Sequence, residues 1–165
     1  MKNKVLIPLL AALLTVTLSS CEKNYYQEPE PDVKAMKIES VGSVFTAMAR
    51  QPEAADMIVA AAEKTLFASY TDLLPLNDRA VAQRGAARGV AIGQMVEALA
   101  RQPEMGTTLD NAGMKFLGEF SKGHISAEMN EYARAAASPY VSESIAHQPE
   151  IEDAVNELLT KYLGI

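Results

Sequence analysis

The chain has no tryptophan, a single cysteine and only two histidines in 165 residues. Each shortage removes a class of function. A secreted domain stapled by disulfides carries an even set of cysteines, and Cys21 stands alone. His124 and His147 belong to no His-Glu-x-x-His zinc helix, and no alternating Asp/Asn calcium loop is present. Neither a Gly-x-Ser-x-Gly elbow nor a Ser-x-x-Lys pair supplies a nucleophile. The sequence therefore implies no cofactor or metal and singles out no catalytic residue. Aromatics make up 6% of the chain, which leaves few platforms for stacking sugars. Tyr70, Tyr132, Tyr140 and Tyr162 read as helix packing. Bases are also scarce: 15 Lys and Arg face 21 Asp and Glu, a net charge of −6. That balance argues against nucleic acid, whose binding depends on neutralising phosphates. Alternating apolar patterns and β-branched runs are missing too, so no strands are expected.

What the chain does have begins at its first residue. Lys2 and Lys4 precede a mostly apolar stretch, residues 5–18, interrupted by Pro8. Its 14 residues fall short of the roughly 20 that cross a bilayer as a helix. Leu18-Ser19-Ser20-Cys21 then closes the segment with small residues and the cysteine. The layout is that of a secretory signal peptide, residues 1–20. Its ending resembles the lipobox of bacterial lipoproteins. The resemblance implies cleavage before Cys21, diacylglycerol on its sulfur and an acyl chain, such as palmitate, on its amino group. It implies a cell-envelope protein held to a membrane by lipid. In Gram-negative lipoproteins an aspartate after the cysteine marks retention in the inner membrane. Glu22 stands there instead, which favours the outer membrane and leaves the periplasmic and surface faces both open.

Residues 1–20 hold two lysines and no acid. The chain after them carries thirteen bases against twenty-one acids, a net charge of −8. Attachment to anionic lipid must then come from the acyl chains rather than from charge. Residues 21–34, CEKNYYQEPEPDVK, are polar, contain Pro29 and Pro31, and show no helical period. They read as the lipidated cysteine and a flexible tether. Residues 35–165 read as one domain, long enough to bury a core without staples.

That domain repeats itself. Ala49-Arg50-Gln51-Pro52-Glu53 returns as Ala100-Arg101-Gln102-Pro103-Glu104 and as Ala146-His147-Gln148-Pro149-Glu150, at spacings of 51 and 46 residues. The same offsets relate Lys37, Arg88 and Arg134, fifteen before each proline. They relate Gly42, Gly93 and Pro139, ten before it, and Lys64, Lys115 and Lys161, twelve after it. Leu66, Leu117 and Leu163 follow at fourteen. The body is a threefold duplication.

Good helix formers dominate each copy. Apolar residues recur at three and four, as in Met105, Leu109, Ala112 and Phe116. Proline fits the first position of a helix, and the residue before it is pushed out of helical geometry. Gln-Pro-Glu is thus a structural corner between helices. Its Glu faces the positive end of the new helix, and Arg50, Arg101 and His147 face the negative end of the old one. Each unit reads as a short helix, a corner and a longer helix: 42–50 and 52–68, 93–101 and 103–120, 139–147 and 149–163. Gly42, Gly93 and Pro139 mark the starts. Further helix is expected at 78–92, capped by Asn77 or Asp78, and at 126–137, capped by Ser126. The fold class is all-α: a compact repeat domain of three helix–corner–helix units with six to eight helices.

The three corners read as architectural, since helix-end geometry and charge account for their repeated polar residues. Gly85, Gly89 and Gly93 recur every four residues on one helix face, which permits either a tight helix crossing or a groove. Function is then expected to be binding: an envelope scaffold recognising another envelope protein. The alternative is an enzyme or carrier acting on envelope material through a pocket near Gly85–Gly93.

Overall fold

A computed structural model describes residues 32–68, 76–122 and 125–165. Cys21, the signal segment and most of the tether lie outside the described residues, as do Tyr70 and His124. Six α-helices account for most of the remainder, with no strand among the described residues: α1 (Val33–Arg50), α2 (Ala55–Leu66), α3 (Asp78–Arg101), α4 (Gly106–Phe120), α5 (Ala127–His147) and α6 (Glu152–Leu163).

Local chemistry starts the three long helices. Asn77 caps α3 by accepting from the Ala80 amide at 2.8 Å, and Ser126 caps α5 by accepting from Met129 at 3.1 Å. Asp32 caps α1, accepting from the amides of Lys34 at 2.9 Å and Ala35 at 3.1 Å. Each cap fills donors that the first helical turn leaves open. Asp32 and Val33 therefore belong to the folded domain, which begins before residue 35.

The corners repeat almost without variation. Gln51, Gln102 and Gln148 have φ of −137°, −141° and −143°, with ψ of 70°, 75° and 74°. Each glutamine amide donates back to the carbonyl four before it, in Ala47, Ala98 and Ser144. Proline opens a single 3₁₀ turn in each corner, Pro52–Ala54, Pro103–Met105 and Pro149–Ile151, and an α-helix follows. Three sequence copies give three copies of one backbone.

The helices on either side differ from the sequence expectation. The helix before each corner is the longer one, with 18, 24 and 21 residues against 12, 15 and 12 after it. Segments 78–92 and 126–137 are not separate connectors. They are the first halves of α3 and α5. Gly42, Gly93 and Pro139 do not start helices but lie within α1, α3 and α5. A glycine within a helix costs only about 1 kcal/mol, a loss that burial of a long apolar face readily offsets.

The long helices form one layer and the short helices a second. Within the first layer α3 lies between α1 and α5, which are its two most extensive neighbours. The strands of contact run in parallel. Gly42 packs on Gln94 and Ala91, and Gly93 packs on the Tyr140 ring. Gln94 and Tyr140 are equivalent positions in successive units, so the two interfaces share one register. Phe45, Met48, Ile92, Met95, Leu109 and Phe116 are buried between the layers. Residues 31–165 form one compact unit.

Repetition also explains Pro139. Gly42 in α1 and Gly93 in α3 face the next unit. Pro139 holds the same place in α5, where no further unit follows, and it is exposed. Ala135 and Glu131, the equivalents of Gly89 and Gly85, are exposed as well. The last unit thus ends the array with a polar, unpacked face, as terminal repeats do.

Candidate functional site

Gly85, Gly89 and Gly93 lie under α5, with no groove above them. A Cβ on Gly85 would stand 2.6 Å from the Met129 carbonyl oxygen and 2.8 Å from Tyr132 Cβ. One on Gly89 would run into the Ala133 carbonyl, and one on Gly93 would come within 2.5 Å of the Tyr140 ring. The backbone of α5 fills the space above Gly85 and Gly89, and the Tyr140 ring that above Gly93, so these residues form a helix crossing rather than a groove.

The end of the domain where the long helices begin is organised by cations. Lys37 donates to the Leu66 carbonyl at 2.8 Å and to Ala68 at 3.1 Å. Arg88 reaches the Leu117 carbonyl at 3.4 Å, the Ser121 hydroxyl at 2.8 Å and the Tyr162 carbonyl at 3.0 Å. Arg134 reaches Leu163 at 2.9 Å and Gly164 at 3.1 Å. The repeated cation of each unit therefore caps the carboxyl end of that unit's second helix, at a sequence separation of 29 in every case. A positive charge there meets the open carbonyls and the negative end of the helix dipole. At the end of α6, Gly164 adopts φ 63°, ψ 42°, a left-handed cap suited to glycine.

Arg84 and Asp32 form a buried ion pair at 2.8 Å, with side chains 4% and 5% exposed. The pair ties the start of α1 to α3. Beside it a small hollow is lined by Lys34, Arg84, Arg88 and Ser121 with Ile38 and Met129. Arg88 Nε is buried there without an acceptor among the described residues. Burial lowers the Arg88 pKa, opposed by its attraction to Tyr162. Burial and a hydrogen bond to Asp110 together raise that of Tyr162. Tyr162 donates to the Asp110 backbone and side chain, at 3.0 Å and 2.9 Å, beside the ion pair of Lys161 with Asp110 at 2.6 Å. Lys115 pairs in turn with Glu63 at 2.6 Å. The repeated lysines of the second and third units thus reach back to the unit before.

The opposite end carries the three corners. Glu53, Glu104 and Glu150 are exposed, as are Arg50, Arg101 and His147. Gln51 is exposed, and Gln102 and Gln148 are half-buried. No corner glutamine caps a helix with its side chain. Among the described residues, neither these glutamines nor Arg50, Arg101 and the three glutamates have a side-chain hydrogen bond or ion pair. His147 is the exception, with Nδ1 placed 2.9 Å from the Glu143 carbonyl at the end of its helix. Glu143 and His147 are thus joined through the backbone, as a helix end.

Open clefts separate the corners. One, between α1 and α3, is lined by Ser43, Thr46, Arg50, Gln51, Ile58 and Gln94. The other, between α3 and α5, is lined by Glu97, Arg101, Glu143, Ser144, His147 and Gln148. Gln94 Oε1 is buried beside the first without a partner among the described residues. The corners and clefts together make a polar row with free amides and alternating charge. It can donate and accept hydrogen bonds along its length. No family model, curated protein or solved structure matches the chain.

Proposed function

We propose that this protein is a lipid-anchored envelope binding protein whose recognition surface is the row of corners. The observation that carries the reading is threefold. The same Gln-Pro-Glu, on the same backbone, stands three times at one end of the domain, with each glutamate exposed. Proline and glutamate serve the corner itself, whereas the glutamine side chain, with no hydrogen bond among the described residues, is kept in all three copies.

The attachment point fits this reading. The chain enters α1 at Asp32, at the end away from the corners. Eighteen residues of α1 span about 27 Å at 1.5 Å per residue. A lipid on Cys21 would therefore hold the domain by the end of α1 that lies away from the corner row. The partner is read as another envelope protein, because the row alternates Arg or His with Glu and suits neither a polyanion nor a polycation.

Cross-linking in intact envelopes tests this. A photoreactive group placed at Glu104 of the full, anchored chain should give a discrete protein adduct. The same adduct should be lost when Gln51, Gln102 and Gln148 are all changed to alanine, with the melting temperature unchanged. An adduct indifferent to those changes would place recognition elsewhere.

A further inference from the structure

The corner row is complementary to itself, and this step rests on the binding role just proposed. Its charges fall in two parallel stripes. Arg50, Arg101 and His147 end the three helices of the long layer, and Glu53, Glu104 and Glu150 stand in the turns that lead into the short layer. All six side chains are exposed. Within a corner the cation and the acid are three residues apart in sequence, yet no corner joins them in an ion pair. A glutamine lies between the stripes in each copy, and its amide has no hydrogen bond among the described residues. The row is also level. Gly42, ten residues before Pro52, lies against Ala91 and Gln94, twelve and nine before Pro103. Gly89, fourteen before Pro103, lies against Ala133 and Ala136, sixteen and thirteen before Pro149. Neighbouring long helices therefore end at matching heights, to within about one residue's rise of 1.5 Å.

A level end face of this kind accepts a second copy turned about a two-fold axis. Turned about an axis across the row, the copy brings cation stripe onto cation stripe and the first unit onto the third. Turned about an axis along the row, it brings cation stripe onto acid stripe and every unit onto itself. Charge selects the second arrangement. The distance between corners then has no repeat to match, because each corner meets its own copy. The glutamines come to lie along the axis, where two side-chain amides each donate to and accept from the other. A charged residue in that place would meet its own charge, which accounts for a neutral amide in all three copies. We propose that the partner of the row is a second copy of this chain. In the symmetric dimer Arg50 meets the partner's Glu53, Arg101 the partner's Glu104 and His147 the partner's Glu150.

The test uses the full chain in density-matched detergent micelles, followed by sedimentation equilibrium. The native chain should show a monomer–dimer equilibrium. Arg101→Glu and Glu104→Arg, each alone, should weaken it at least about tenfold through like-charge contacts, with the melting temperature unchanged. An equimolar mixture of the two variants should restore the dimer, because acid then meets cation at both positions of the middle corner. A chain carrying both changes should pair with itself as the native chain does. Register is read by cross-linking. Gln51→Cys, Gln102→Cys and Gln148→Cys, each in its own chain, should all give a linked dimer on mild oxidation, with the parent chain and its lone Cys21 as the control. Self-linking at residue 102 alone, with residue 51 linking to residue 148, would mean the arrangement turned across the row and overturn the inference. So would a mixture no tighter than either variant, or a chain that stays monomeric up to about 1 mM. If the chain is monomeric and the envelope adduct at Glu104 joins a different protein, the partner is not a second copy and the binding role stands. If it is monomeric and no adduct forms, both readings fall.

Discussion

Single residues divide the glycines of this domain into two kinds. Gly89 lies against the Ala133 carbonyl, and its added methyl would also stand 2.7 Å from Ala136 Cβ. Neither neighbour is a flexible chain end, so α3 and α5 must separate to admit it. Gly89→Ala should cost about 1–3 kcal/mol, read as a lower melting temperature. Gly118 in α4 has nothing within 4 Å of its missing Cβ. There the methyl meets only solvent, and alanine is the better helix former. Gly118→Ala should raise stability by up to about 1 kcal/mol. The same substitution is expected to change sign between two helical glycines, and paired thermal melts check it. Asp32 is the third residue of note. It caps α1 and holds Arg84 at 2.8 Å, both buried. Asp32→Ala removes a cap worth about 1 kcal/mol and one side of a buried ion pair. A total loss of about 3–5 kcal/mol follows, as for a broken buried pair. Chemical denaturation should show it, and a loss below 1 kcal/mol would mean that Arg84 finds other support.

Elements show where sequence reading succeeds and where it stops. The corners were legible because proline and its neighbours act through local geometry. The caps at Asn77 and Ser126 were legible for the same reason. Helix lengths were misjudged because Gly42, Gly93 and Pro139 look like boundaries in one dimension. Their places are decided by close packing on Gln94 and Tyr140, or by its absence at the array's end. Gly85, Gly89 and Gly93 stood out in the sequence, but only the neighbouring helix decides between a groove and a crossing. The cation caps left a trace as a fixed offset between Lys37 and Leu66 and its two copies. Their meaning needs a turn that brings the two helix ends together 29 residues apart. The free amides of the corners were hidden too, since the sequence does not say which polar groups are already satisfied. Element ends yield a prediction of their own. Arg134 is exposed and bonds the last carbonyls of α6. Arg134→Ala should loosen that terminus with a modest global cost, about 0.5–1.5 kcal/mol. Amide exchange at Leu163 and Gly164 should quicken while that of α1 is unchanged. Equal acceleration everywhere would show that the cap supports the whole array.

For the whole molecule the question is how the proposed anchor relates to the fold. All buried contacts described above lie within residues 31–165, which form one compact unit. The core there is apolar and the helices have their own caps, so nothing in the packing calls on a lipid. Among the described residues, no helix is long and apolar enough to cross a membrane. The proposed attachment rests on Cys21, since the acidic chain after residue 20, at a net charge of −8, adds no attraction to anionic lipid. Cys21→Ser should free the protein from the membrane fraction or leave an uncut precursor. Mass spectrometry of the native amino terminus should find an acylated cysteine. A fragment from Pro31 onward should keep its helical circular dichroism and its melting temperature, with or without a chelator. One starting at Val33 should be weaker by the Asp32 contribution, a difference of several kcal/mol that no change of lipid can restore. If the Pro31 fragment unfolds on its own, the lipid or the tether is part of the fold.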